Sequence, residues 1–303
     1  MMTVDFKELK AFDFSNAKPY LWIFKDSTSP KKFRAKYVQT DDSLNGELLS
    51  FVKRETVRIT EHSAYTYISQ TNENSCLTIE FNKTDFSLLK QFIDEPESEH
   101  AIKGIEDLIG AKGYVVKFIK DDKIVYAVKR STTTWKTSYP KKFVNAIFKN
   151  GELTGVENNS FSIEKNFDFY VMNDTAFIAN KKGFESAMKY KEEFVKAFDT
   201  LQSNPGFSSL FSDLDPIVTY VGQNSIQLRR MAVIEDKGIY KKPNFIPNLQ
   251  KVNTIRKWGL NFEQHKIIPC DKTVKIILQV LLDHRLISEI TDTIYDVPDA
   301  VQV

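Results

Sequence analysis

The stretch FDFYVMNDTAFIANKKGFESAMKYKEEFVKAF, Phe167 to Phe198, decides how the chain is read. Phe167–Met172 reads as one strand, Asn173-Asp174 supplies a turn, and Thr175–Ala179 returns as a second strand. Asn180 then stands where its side-chain oxygen can accept an otherwise orphaned helix N–H. Phe184, Ala187, Met188, Phe194, Val195, Phe198 and Leu201 follow at helical spacing, and Asn204-Pro205-Gly206 ends the run. The spacing predicts a hairpin feeding one long helix, with Lys181-Lys182 at its mouth. Phe184 and Met188 read as core side chains, not as cofactor contacts. The stretch holds no nucleophile, no metal-ligand cluster and no phosphate loop.

Upstream the pattern is rich in strands. Tyr20–Phe24 is a continuous apolar run, which suits a strand buried on both faces, and Phe33–Val38 alternates like a half-buried one. Asp41–Ile59 changes to helical spacing through Leu44, Leu48, Phe51, Val52 and Ile59, weakened by Gly46. Ala64–Gln70 and Leu77–Phe81 read as strands. Asp85–Asp107 carries seven acidic residues against two lysines and reads as a solvated helix face. Tyr114–Ile119 and Ile124–Arg130 pair through a Lys120–Lys123 turn, and Phe143–Lys149 meets the hairpin signal Asn150-Gly151. Downstream the chain turns helical: Ile217–Ile234, the region of Leu249–Trp258, and a last helix capped by Asp271 with the stripe Val274, Ile277, Leu278, Leu281 and Leu282. The expected fold is α+β, a strand-rich N-terminal half with helices followed by a hairpin and a helix-rich C-terminal half. The Ser/Thr-rich segment STTTWKTSYPKK, Ser131–Lys142, predicts a boundary between an N-terminal α+β domain, 1–135, and a C-terminal α+β domain, 136–303.

The 303 residues are 42% hydrophobic and 27% charged, which is globular and not disordered. Two distant cysteines, Cys76 and Cys270, support neither a disulfide scaffold nor a zinc site and read as reduced thiols of a cytoplasmic protein. The N-terminus MMTVDFKELK lacks the pattern of a signal peptide, and no apolar run approaches the roughly 20 residues of a spanning helix, so a soluble protein is expected.

A catalytic constellation is not legible. The chain has no G-x-x-x-x-G-K-[ST], no G-x-G-x-x-G after a strand, no G-x-S-x-G and no H-E-x-x-H. His62, His100, His265 and His284 lie far from one another in sequence, and His284 reads as a boundary histidine beside an apolar stripe. A metal-dependent nuclease needs clustered carboxylates and a lysine. Glu8-Leu9-Lys10 has the letters with Asp5 too close before it, and Glu235-Asp236-Lys237 has the composition without the spacing. No catalytic residue, metal ligand or cofactor is therefore expected.

Net charge is +2, from 42 basic and 40 acidic side chains, so any nucleic-acid reading rests on where the charges sit. Lys112–Lys149 has ten basic residues against two acidic, with Tyr114, Phe118, Tyr126, Trp135, Tyr139, Phe143 and Phe148 interleaved. Ser225–Leu260 has eight against two, anchored by Arg229-Arg230, Lys241-Lys242 and Arg256-Lys257-Trp258. Such cations read phosphate oxygens without base specificity. The candidate DNA-binding residues are Arg229, Arg230, Lys241, Lys242, Arg256, Lys257, Lys141, Lys142, Lys181 and Lys182. The last pair sits where a helix N-terminus suits an anion. Against this, basic runs are usually solvated faces, and strand aromatics usually fill a core.

The hairpin and helix quoted above resemble the central region of KwaB-type proteins of the bacterial Kiwa anti-phage defence system. IQLRRMAVIEDKGIYKK, Ile226–Lys242, and LLDHRLISEITDTIYDV, Leu281–Val297, fit the same pattern and order. The resemblance covers Phe161 to Val297. It implies a cytoplasmic effector that binds phage DNA without sequence specificity. It also implies a membrane partner, KwaA, which would hold the protein at the inner membrane, and restraint of phage DNA replication and late transcription. Self-association as a homodimer or higher homo-oligomer is implied too. The resemblance offers no catalytic motif to carry over. A nuclease with a degenerate metal site and a protein-binding adaptor without DNA affinity stand as the alternatives.

Overall fold

The computed structural model describes residues 4–28, 32–80, 82, 84–131, 146–149, 151–155, 163–287 and 293–296. The segment 132–142, which contains the expected boundary, lies outside them, as do Trp135, Tyr139, Phe143 and Asn150. The contacts gather the chain into two compact units, Met1–Tyr65 with Ser69–Met188, and Thr66–Ile68 with Lys189–Val303.

The first unit is built on one eight-stranded sheet, in the order β2-β1-β5-β6-β9-β10-β4-β3. Its strands are β1 (Lys18–Asp26), β2 (Phe33–Val38), β3 (Glu61–Ala64), β4 (Ser75–Glu80), β5 (Gly113–Lys120), β6 (Lys123–Arg130), β9 (Phe169–Met172) and β10 (Thr175–Ile178). Between β6 and β9 the chain forms a separate hairpin, β7 (Ala146–Lys149) with β8 (Glu152–Gly155), whose Gly151 at φ 89° serves the turn. All neighbours in the large sheet are antiparallel except β3 and β4. The central hairpin β9–β10 turns at Asn173, φ 51°, a left-handed position that asparagine tolerates. It seats itself between β6 and β4, pairing Val128 with Phe169 on one side and Ile178 with Leu77 on the other.

Apolar side chains leave both faces of this sheet, which explains the unbroken apolar runs. Leu21, Ile23, Val116, Phe118, Tyr170 and Phe177 pack with Phe6 and Leu9 of α1 (Val4–Ala11) and with Leu48, Phe51 and Val52 of α2 (Asp42–Arg58). On the opposite face Phe86 of α3 (Phe86–Ile93) meets Tyr126 and Phe169 at ring-centroid distances of 5.4 and 6.0 Å. Phe184 of α5 (Lys181–Ala187) meets Phe169 at 5.0 Å. Fully burying each such ring is worth about 1.5–3 kcal/mol. Asp41 caps α2 through Leu44 N at 2.8 Å, and Gly46 sits in open space, so its helix cost is not compounded by a clash. The far end of α2 is closed by Lys10, whose Nζ donates to the carbonyls of Thr56, Val57 and Ile59 at 2.9, 2.8 and 2.7 Å. The acidic stretch holds only short helices, the buried α3 and α4 (Glu97–His100), in place of one solvated helix. The strand expected at Ala64–Gln70 falls earlier, at β3.

Helix α5 and its successor α6 (Lys191–Ser203) are two helices where the spacing predicts one. Lys189 takes φ 53°, so the ladder ends at Met188 and restarts. The capping prediction holds: Asn180 accepts from Gly183 N at 3.3 Å. The second unit continues with α7 (Pro205–Ser208), α8 (Asp215–Val221), α9 (Ser225–Lys237), α10 (Phe245–Arg256) and α11 (Val274–Leu281). Two small hairpins complete it, β11 (Asn261–Glu263) with β12 (Lys266–Ile268), and β13 (Arg285–Ile287) with β14 (Ile294–Asp296). Gly222 at φ 46° and the capping Asn224 divide the expected Ile217–Ile234 helix into α8 and α9. The residue before the last helix is Thr273 and not Asp271, and it caps no helix N–H: its hydroxyl instead accepts from Cys270 N at 3.1 Å, which fixes the preceding turn. Its predicted stripe is buried as expected, through Val274, Ile277, Leu278, Leu281 and Leu282. Strand-rich sheet unit and helix-rich remainder together make the α+β class.

Candidate nucleic-acid interface

The basic segment Ser225–Leu260 is laid out by helix ends. Asn224 opens α9 by accepting from Ile226 N at 2.9 Å and Gln227 N at 3.3 Å. Leu228, Met231, Ala232 and Ile234 are buried as α9 packs on α6. That leaves Arg229 and Arg230 half-buried at the border of the packed face. Gly238, left-handed at φ 57°, stops the helix, and a single 3₁₀ turn, Ile239–Lys241, follows. Tyr240 anchors this turn, 4% exposed and 5.3 Å from the Phe207 ring. Lys241 and Lys242 are thereby held outward on a fixed support, with the Lys241 ammonium 5.5 Å from the Tyr240 ring centroid. Helix α10 ends at Arg256 with Lys257 exposed at φ 52°. Beyond it, Asn253 bonds both Leu260 N and Leu260 O, at 3.0 and 2.9 Å, and fixes the exit. Among the described residues Lys241, Lys242 and Lys257 have no ion-pair partner. Glu235 lies close enough to Lys241 to feel its charge; burial first, then Asp236, pushes its carboxyl up, and Lys241 opposes them.

Four cations of the other basic segment are matched by carboxylates. Lys117 reaches Asp94 at 3.1 Å, Lys120 reaches Asp121 at 2.9 Å, and Arg130 reaches Asp26 at 3.3 Å. Lys129, 4% exposed, lies 3.0 Å from Glu164 and 3.2 Å from Asp168. Its aromatics Tyr114, Phe118 and Tyr126 are core side chains at 1%, 0% and 4% exposure, so they offer no stacking face. Lys141 and Lys142 lie outside the described residues.

The pair at the mouth of α5 separates. Lys182 is exposed, whereas Lys181 is 8% exposed. The Lys181 ammonium donates to the Ser69 carbonyl at 2.7 Å, stands over the Tyr65 ring at 5.3 Å and lies 4.0 Å from Glu185. Lys181 is a packing cation, turned inward because its long stem covers apolar surface while the head finds internal acceptors.

The residues weighed for nuclease chemistry are engaged elsewhere. Asp5 accepts from Thr175, Glu8 accepts from Asn173 at 3.0 Å, and Lys10 closes α2. Asp236 accepts from Tyr67 N at 2.7 Å, and Lys237 donates to the Leu282 carbonyl at 2.7 Å. One group of metal-capable side chains that sequence spacing did not suggest is Glu95, Glu99 and His100, on and before α4. It is surface acidity in which Glu95 and His100 already bond each other. Among the described residues no helix is long and apolar enough to cross a membrane.

These observations define an α+β protein with a mixed-sheet unit and a helical unit that carries outward cations at helix ends. Residues 108–291 match the family described as Kiwa protein KwaB-like, and the chain belongs to that family. It is therefore a component of the Kiwa anti-phage defence system, which works with the other proteins of that system. Comparison with curated proteins and with solved structures finds no match.

Proposed function

We propose that the protein is a non-enzymatic effector that holds duplex DNA through its phosphates, without reading bases. Lys241, Lys242, Arg256 and Lys257 carry the contact, with Arg229 and Arg230 at its border; Lys182, Lys141 and Lys142 are added on sequence grounds alone. The observation that carries this reading is the contrast between the two basic segments. Lys117, Lys120, Lys129 and Arg130 of β5 and β6 are met by carboxylates, while Lys241, Lys242 and Lys257 stand outward on anchored turns with none. Unmatched, positioned cations release condensed counterions from a phosphate backbone when they bind it. Family membership supports the biological setting: with the membrane protein KwaA, DNA holding restrains phage replication and late transcription, and self-association multiplies weak contacts along one duplex.

The test is duplex binding across a salt series. The logarithm of affinity should fall with the logarithm of salt by about 0.9 per phosphate contact. The double variant K241A/K242A should weaken binding to all sequences equally and flatten that slope by about 2. Unchanged affinity and slope in this variant and in R256A/K257A would remove the assignment. Magnesium-dependent cleavage in the same assay would replace it with nuclease chemistry. Co-purification with KwaA in the absence of any DNA affinity would replace it with an adaptor role.

A further inference from the structure

We propose that the cavity walled by α8, α9 and α11 binds a phosphate monoester, the end group of a mononucleotide or of a nucleic-acid strand. The cavity encloses about 210 Å³. That is room for on the order of seven waters at about 30 Å³ each, enough for a phosphate with part of a sugar and base and far too little for a duplex. The ligand is therefore a terminal or free group. Arg230 borders the backbone contacts proposed above as well, whereas Lys275 belongs to the cavity alone.

Two cations reach the cavity from different helices, Arg230 from the middle of α9 and Lys275 from the first turn of α11. Gln279 lies one turn beyond Lys275, and His284 follows the end of α11. Among the described residues that line the cavity none is acidic. A dianion placed there meets a guanidinium fork and an ammonium, the groups that phosphate oxygens match best. Arg230 also donates to Gln227 Oε1 at 3.2 Å, which holds the guanidinium in place before a ligand arrives. The remaining wall suits the organic part of the ligand. Leu278 and Leu282, 2% and 1% exposed, supply an apolar patch, and Tyr220, 38% exposed, offers a ring on which a base can stack.

The sequence carries a trace of this site. Lys275, Leu278, Gln279 and Leu282 follow at i, i+3, i+4 and i+7, so two polar residues share the helix face that the apolar stripe borders.

Calorimetric titration of the full chain with 2′-deoxyadenosine 5′-monophosphate, inorganic phosphate and deoxyadenosine tests the proposal. Phosphate and the monophosphate should bind and the nucleoside should not. K275Q alters an exposed side chain and should leave the melting temperature unchanged. It and R230Q should each weaken the monophosphate about tenfold or more, while K241A/K242A should leave it unchanged. Duplexes with 5′-phosphorylated and 5′-hydroxyl ends then distinguish the two sources. A preference for the phosphorylated end that K275Q abolishes assigns a strand terminus; mononucleotide binding without that preference assigns a free nucleotide. The proposal is overturned if wild-type protein binds neither phosphate nor monophosphate, if the nucleoside binds as well as its phosphate, or if both variants bind like wild type. Loss of duplex binding in K241A/K242A bears only on the other site.

Discussion

Replacing Lys129 with methionine tests how the sheet unit is held together. Lys129 lies in β6, and the Asp168 carboxylate beside it is 1% exposed. Besides the 3.2 Å contact to Lys129, Asp168 accepts from Arg130 N at 2.6 Å and from Asn180 Nδ2 at 2.8 Å. Its own carbonyl accepts from Ala179 N and Asn180 N, so this residue ties β6, the β10–α5 link and the start of α5 into one knot. K129M conserves length and apolar stem but leaves a buried carboxylate with no cation. Breaking a buried pair from one side costs about 3–5 kcal/mol. At about 2–4 °C per kcal/mol for a unit of this size, the melting temperature should fall by about 6–20 °C. Burial already pushes the Asp168 carboxyl up, opposed by Lys129, the Arg130 N–H and Asn180. Removing the cation raises it further, and a raised carboxyl costs stability only above the ordinary carboxylate range. The K129M deficit should therefore shrink as pH is lowered through the folded-state value. Adding D168N removes the orphaned charge, and the double variant should melt above K129M, with a coupling of about 0.5–3 kcal/mol. Scanning calorimetry reads all of these. A K129M protein within about 2 °C of wild type, or a double variant that melts at or below K129M, would refute the reasoning.

Two further outcomes follow from neighbouring contacts. In G183A the new methyl would lie 2.2 Å from Asp168 Cγ. The clash should cost about 1–3 kcal/mol, exceeding or cancelling the ~1 kcal/mol that alanine gains over glycine in a helix, so a rise in melting temperature would contradict the packing of α5. Asp94 offers a pH test: burial pushes its carboxyl up, but hydrogen bonds from Lys90, Tyr126 and Lys117 outweigh burial and hold it below the ordinary range. A depressed carboxyl stabilises above its unfolded-state pKa and loses that contribution as pH falls through the folded value. The melting gap between wild type and D94N should be full near pH 7 and close on acidification below about pH 4; a gap independent of pH would count against it.

Local signals in the sequence carried the hairpins and caps. Asn173, Asn180 and the Lys120–Lys123 turn act through neighbours in the chain, and their chemistry is visible as letters. The apolar run at Tyr20–Phe24 announced a strand covered on both sides. What stayed hidden depends on distant partners. Lys129 reads as an ordinary strand cation, yet Asp168, 39 residues further along the chain, draws it inside. The same holds for Lys181, whose acceptor is the Ser69 carbonyl. The break at Lys189 had no glycine or proline to mark it, so the apolar stripe ran on as though the helix did. Among the basic candidates, Lys241, Lys242 and Lys257 stand outward because glycine and helix ends hold them out. Counts of charge could not separate them from Lys117 or Arg130.

Because β9 and β10 fill the gap between β6 and β4, the order of synthesis and the order of assembly disagree. A chain leaving the ribosome first presents two incomplete halves, β2-β1-β5-β6 and β3-β4, each with a bare row of amides along one margin. The β6 margin is not covered until residue 172 has been made, and the β4 margin not until residue 178. Pairing across such distances in sequence is slow, and for that interval the nascent protein is open to strands from other chains. Overexpression, which crowds nascent copies together, should lose more product to aggregation than the finished fold's buried core would suggest.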